Sequence, residues 1–93
     1  MTYVDGVLTP EEYDVLNIIA DRTHMDCWFQ ICQNEETGKD YVYDLENDRI
    51  LTLREGVGFL LEGLDCPENL ASCNLTERQR LVWNCLLKWL DLA

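Results

Sequence analysis

Basic residues are scarce in this chain. Seven lysines and arginines face eighteen aspartates and glutamates over 93 residues, a net charge of −11. Such a balance repels nucleic acid and anionic membrane surfaces and favours basic partners. Histidine occurs once, as His24. No Walker loop, dinucleotide fingerprint or Ser-His-Asp constellation is present, and close carboxylates mean little in so acidic a chain, so no enzymatic activity and no cofactor are expected. No apolar run is long enough to span a bilayer. The first residues, Met1-Thr2-Tyr3-Val4-Asp5-Gly6, lack the positive and apolar regions of a signal peptide. A cytoplasmic protein with reduced cysteines is therefore expected. Low-complexity segments and internal linkers are also missing, which leaves a single domain over residues 1–93.

Paired C-x-x-C motifs are missing too. Cys27, Cys32, Cys66 and Cys73 are the candidate zinc ligands, but four and six intervening residues are not structural-zinc spacing. The preferred reading is that they are small buried apolar side chains, with Cys85 packing on a helix.

What is present is a set of helix starts. Thr9 with Glu12, Thr52 with Glu55, and Thr76 with Gln79 each form a capping box. The first predicts a helix from Pro10 to about Arg22, with Tyr13, Leu16, Ile19 and Ala20 buried and Val15 and Ile18 at the edges. The second predicts a helix carrying Val57, Leu60, Leu61 and Leu64, in which Gly56 and Gly58 point to close packing against a neighbour. The third predicts a C-terminal helix with Val82, Cys85, Leu86, Trp89 and Leu90 on one face, apolar enough to need cover on most sides. Residues 65–69 read as loop, with Leu70-Ala71 a short helical turn.

Between the first two helices lie three strand patterns: Asp26 to Gln33, Asp40 to Glu46, and Arg49 to Leu51. Turns separate them at 34–39, where Gly38 is free to take a positive φ, and at Asn47-Asp48. The fold class expected is α+β, a three-stranded antiparallel meander packed against helices in the order α-β-β-β-α-α.

The segments Leu8-Thr9-Pro10-Glu11-Glu12-Tyr13-Asp14-Val15-Leu16 and Leu75-Thr76-Glu77-Arg78-Gln79-Arg80-Leu81-Val82-Trp83 resemble the opening helix of helix-turn-helix domains in the LuxR-type and sigma-factor families. That resemblance implies a basic second helix, which neither segment is followed by, and the charge argues against DNA.

The acids are unevenly placed. Residues 1–48 hold twelve acids and two bases; residues 49–93 hold six acids and five bases. The densest stretch, Glu35 to Asp48, has six acids and one lysine. On the second strand Asp40 and Asp44 share the side opposite Tyr41 and Tyr43, with Glu46 beyond them. Same-face neighbours on a strand lie ~6.6 Å apart, a row of carboxylates comparable to phosphates on a nucleic-acid backbone. Trp28 is expected on the same acidic face as an anchor. Small size, acidity and the absence of a catalytic motif resemble the small phage or mobile-element inhibitors of the anti-CRISPR type. That resemblance implies an inhibitor that mimics nucleic acid and occupies the basic groove of a nuclease or other DNA- or RNA-handling protein. Its contact residues would be Trp28, Glu35, Glu36, Asp40, Asp44, Glu46 and Asp48. The alternative expectation is a structural or assembly protein that forms a homodimer, or docks, through residues 76–92.

Overall fold

The computed structural model describes residues 7–64 and 73–92. Within them the chain forms α1 (Pro10–Arg22), β1 (Phe29–Gln33), β2 (Asp40–Asp44), β3 (Arg49–Leu51), α2 (Leu53–Gly63) and α3 (Glu77–Trp89). The three strands make one antiparallel sheet in the order β1-β2-β3, as the turn and strand patterns predict. The expected 65–69 loop, the turn at Leu70-Ala71 and Cys66 lie outside the described residues.

All three helices start at closed capping boxes. Thr9, Thr52 and Thr76 accept from the backbone N–H of Glu12, Glu55 and Gln79, and those three side chains accept from the threonine N–H groups in return. Each box satisfies two N–H donors that the first turn of a helix leaves without partners. The box also orients α1. Glu12 is drawn inward and fully buried, in the row of Val15, Leu16, Ile19 and Ala20. Tyr13, expected in the buried stripe, is rotated out and 43% exposed. At its other end α1 closes through His24, at φ 62°, with the Met25 N–H donating to the Ala20 carbonyl at 2.8 Å. The Trp28 and Phe29 N–H groups then both donate to the Met25 carbonyl, so 26–28 is a turn and β1 begins three residues later than the sequence pattern predicts.

The sheet has an inner face of Phe29, Ile31, Val42 and Leu51, with Asp44 and Arg49 at one end. Its outer face carries Gln30, Cys32, Tyr41, Tyr43 and Ile50. α2 lies on β2 and β3, and α1 packs against α3. Contact between α2 and β2 is close at Gly56: a Cβ there would fall 2.8 Å from Val42 Cγ1. Gly63 is likewise close to Met25.

On α3 the buried row is Val82, Trp83, Leu86 and Leu87, followed by Leu90. Cys85 is half-buried, whereas Leu81 is 56% and Trp89 49% exposed. The expected cover on most sides is therefore corrected to cover on one face. The opposite side carries Arg80, Asn84 and Lys88 in solvent, and three polar residues suffice to wet it.

The two helical glycines of α2 predict opposite outcomes. Gly56→Ala gains helix propensity of ~1 kcal/mol but drives a methyl into Val42, whose branched side chain has little freedom to move. Overpacking costs about 1–3 kcal/mol, so net destabilisation of up to roughly 2 kcal/mol is expected. At Gly58 the nearest atom to an added Cβ is Leu92 Cδ2 at 3.7 Å, an ordinary contact. Gly58→Ala is expected to stabilise by about 0.5–1 kcal/mol. Urea unfolding of both variants checks the pair, and equal shifts in the midpoint would contradict it.

Candidate docking surface

The seven residues expected to form one acidic face divide into groups. Asp40 and Asp44 do lie opposite Tyr41 and Tyr43, but that is the face the helices cover. Asp44 is 3% exposed. One carboxylate oxygen, Oδ1, accepts from the backbone N–H of Glu46 at 3.1 Å and of Asn47 at 3.2 Å. The other, Oδ2, accepts from Asn47 Nδ2 at 2.9 Å and Arg49 Nε at 3.0 Å. The Asn47 side-chain amide, with Arg49 adding to it and against the cost of desolvation, holds the Asp44 carboxyl below its usual range. This carboxylate builds the β2–β3 turn, which is why β2 stops at Asp44 and Asp48 takes φ 50°. Asp40 is half-buried; its Oδ2 accepts from the Leu8 N–H at 2.8 Å and so ties the lead into α1 onto β2. A row of free carboxylates along β2 therefore does not form.

Trp28 is half-buried in the turn before β1, edge-on to Phe29 with ring centroids 5.4 Å apart. It does meet Asp44 and Glu46, around a depression of about 210 Å³ shared with Asn47, Arg49 and Phe59. The charge there is largely answered: Arg49 pairs with Asp44 and lies 5.1 Å from the Phe59 ring centroid. Glu46 also accepts from Cys27 Sγ at 3.7 Å. Desolvation first, and then the Glu46 carboxylate, push the Cys27 thiol up, the opposite of what a reactive cysteine needs. Among the described residues no three histidine, cysteine or acidic side chains are grouped to hold a metal ion. Cys27 is exposed, Cys32 and Cys85 are half-buried, and Cys73 is buried.

The outer face of the sheet is a different surface. The register sets Tyr43 between Gln30 and Ile50, and Tyr41 beside Cys32. Gln30 is exposed and Ile50 is 68% exposed, the most of any large apolar side chain among the described residues. Two depressions, of about 740 and 560 Å³, adjoin here and share Lys39, Asp40, Tyr41 and Ile50. Together they make a trough. One end is the β1–β2 turn with Glu35 and Glu36; the other is walled by Leu53, Trp89 and Leu90, with Glu55 and Asp91 at the rim. Five acids thus line the trough against Lys39 and Arg54. Arg54 is engaged within the fold, donating from Nε to the Leu90 carbonyl at 2.9 Å at the C-terminal end of α3.

Glu35 and Glu36 therefore sit at the trough, Asp40 along its side, and Glu46 and Asp48 at the far end of β2 on the exposed second turn. Sequence reasoning missed Glu55, Tyr41 and Ile50, and had Trp89 and Asp91 only within the alternative docking helix, 76–92. Asp44-x-x-Asn47 followed by Arg49 was the available signal: an aspartate that can serve a turn and pair with an arginine is a candidate for burial. No protein family, curated protein or solved structure matches this chain.

Asp44 sets a pH prediction. Its folded pKa lies below the unfolded value, so its contribution is complete above ~3.9 and is lost as pH falls through the folded value. Asp44→Ala is expected to lower the urea midpoint at pH 7. The gap from the parent chain should narrow below pH ~3.9. An equal gap at pH 7 and at pH 3 would contradict the assignment.

Proposed function

We propose that this protein is a non-enzymatic acidic binding protein. It occupies the basic, nucleic-acid-binding groove of a nuclease or another DNA- or RNA-handling protein and competes there with phosphates, in the manner of small phage or mobile-element inhibitors of the anti-CRISPR type. The observation that supports this reading best is the trough at the end of the sheet where β2 begins and β3 runs into α2: an exposed apolar strip of Ile50 and Trp89 beside Tyr41, rimmed by Glu35, Glu36, Glu55 and Asp91.

An interface of this kind combines apolar anchors with a charged rim that steers encounter. Carboxylates at the rim attract the same lysines and arginines that hold phosphates. The exposed Glu46 and Asp48 at the opposite turn extend the negative field beyond the trough. The contact residues now proposed are Glu35, Glu36, Glu55 and Asp91, with Ile50, Tyr41 and Trp89 as anchors. Trp28 and Asp44 leave the set because they serve the fold. Among the described residues no helix is long and apolar enough to cross a membrane.

Assembly through residues 76–92 is the second reading, favoured by the exposure of Leu81 and Trp89. Leu81 stands among Arg80, Asn84 and Lys88, so α3 alone offers a narrow apolar contact. Light scattering reads this directly, since a dimer held by α3 should dissociate in Leu81→Lys.

The electrostatic reading predicts a steep salt dependence. In pull-downs against nucleases and other nucleic-acid enzymes, capture at low salt should fall sharply as ionic strength rises, because the Debye length shrinks from about 30 Å at 0.01 M to about 8 Å at 0.15 M. Glu35→Lys with Glu36→Lys should reduce capture by about tenfold or more while leaving the unfolding midpoint near that of the parent chain. Capture that is flat with salt and unchanged in the double variant would sink the proposal.

A further inference from the structure

We infer that the open face of the sheet, the side away from α2, takes a single amphipathic helix of the partner with basic residues at both of its ends; this rests on the reading above that the partner is basic. An antiparallel sheet with one face in water ordinarily alternates apolar residues inward with polar ones outward. Here the charges are on the other side. Asp40, Asp44 and Arg49 share the side of Val42, which α2 covers, although drawing charge inward is costly. The open side carries Gln30, Cys32, Tyr41, Tyr43 and Ile50. None of these is charged, in a chain of which 27% is charged. Gln30 and Ile50 stand exposed on either side of Tyr43. A solvent-facing sheet surface without a single charge lacks what normally keeps such surfaces apart, and marks a contact surface.

The dimensions of the face select one helix. Three strands ~4.8 Å apart span about 10 Å, the width of one α-helix with its side chains. The five residues of β2 run ~17 Å, which three turns of helix match. The ends of the face select the charge. Exposed Glu35 and Glu36 stand at the β1–β2 turn and exposed Glu46 and Asp48 at the β2–β3 turn. Lys39 leaves the first turn net negative, and at the second Arg49 is engaged with Asp44. A helix laid along β2 therefore sets its apolar stripe, at i, i+3, i+4 and i+7, on Tyr41, Tyr43 and Ile50. Lysines or arginines in its first and last turns meet the two acidic turns. A second copy of this chain fits poorly. In an aligned sheet-on-sheet pair the hairpin turns of both chains stack, and acids stand at both ends, so either orientation sets like charge against like.

The test is a low-salt titration of the ¹⁵N-labelled full chain with a peptide of about fourteen residues, carrying lysines in its first and last turns and leucines at helical spacing between them. A second peptide has D-leucine at two central positions, which keeps charge and composition but opposes a right-handed helix. Saturable shifts are expected at Gln30, Tyr43 and Ile50, with a gain of helical circular dichroism in the peptide. The D-leucine peptide should bind about tenfold more weakly or worse. The parent peptide should lose as much on the chain carrying Tyr43→Thr with Ile50→Thr, substitutions that keep strand-favouring residues in place. Equal affinity of the two peptides overturns the inference, as do shifts confined to Glu35, Glu36 and the 45–48 turn; both outcomes leave the acidic-docking proposal standing. Capture of a nuclease without any binding of the peptide overturns it in the same way. A dimer of the parent chain that dissociates in the double threonine variant gives the face to a second copy and also overturns it. Failure of peptide and nuclease alike at low salt overturns both proposals.

Discussion

Val42 sits directly on the backbone of Gly56, and this contact decides which side of the sheet faces the helices. α2 approaches β2 so closely that only a residue without a Cβ fits beneath the valine. Val42 is wholly buried as a result, and side chains alternate along a strand, so every other assignment on β2 follows. Asp40 and Asp44 must share the covered side with Val42. Tyr41 and Tyr43 must face away, and Ile50, paired with Tyr43, goes with them.

The inward acids are made tolerable by local chemistry. Burying a carboxylate is costly unless it is hydrogen-bonded or paired. Asp44 has four hydrogen bonds, including one from a guanidinium, and Asp40 accepts the Leu8 N–H. Glu12 is buried in the act of capping α1: its Oε1 accepts the Thr9 N–H, while Oε2 is buried with no hydrogen-bond partner among the described residues. Glu11 takes a bidentate pair with Arg78, both contacts at 2.8 Å, where α1 meets α3. A share of the chain's acidity therefore builds turns, caps and seams. Exposed acids at the two hairpin turns and around the trough are Glu35 and Glu36 at one turn, Glu46 and Asp48 at the other, and Glu55 and Asp91 beyond β3, while Asp14, Asp21, Asp26, Glu62 and Glu77 are exposed on the helices and the turn after α1.

Much of the fold was legible in the sequence because its signals were local. Each capping box is a three-residue spacing that names a helix start, and all three starts are observed. The turns announced themselves through Gly38 and Asn47-Asp48, and the strand order of a meander follows from short connections. The direction in which β2 faces was not legible. Asp40-Tyr41-Val42-Tyr43-Asp44 alternates cleanly, but the set of Asp40, Val42 and Asp44 is mixed, and hydrophobicity favours the tyrosines inside. The deciding facts were non-local: the space that Gly56 leaves for Val42, and the presence of Arg49 to answer Asp44. The same one-residue ambiguity moved Tyr13 outward on α1, where the cap drew Glu12 in, and left Trp89 half-exposed on α3. Glu35 and Glu36, expected on an acidic surface, do stand exposed at one end of the trough. Its apolar strip was missed because that strip joins Ile50 of an edge strand to Trp89 of a helix 39 positions later.

Carboxylate footprinting tests the central claim most directly. The chain, in native buffer, is treated with a water-soluble carbodiimide and glycinamide, and the rate of modification at each aspartate and glutamate is read by mass spectrometry. Glu35, Glu36, Glu46 and Asp48 should label rapidly and Asp44 slowly, with Asp40 between them. Labelling of Asp44 as fast as that of Asp48 would mean that the acidic side of β2 faces solvent, and the account of which sheet face is open would be wrong.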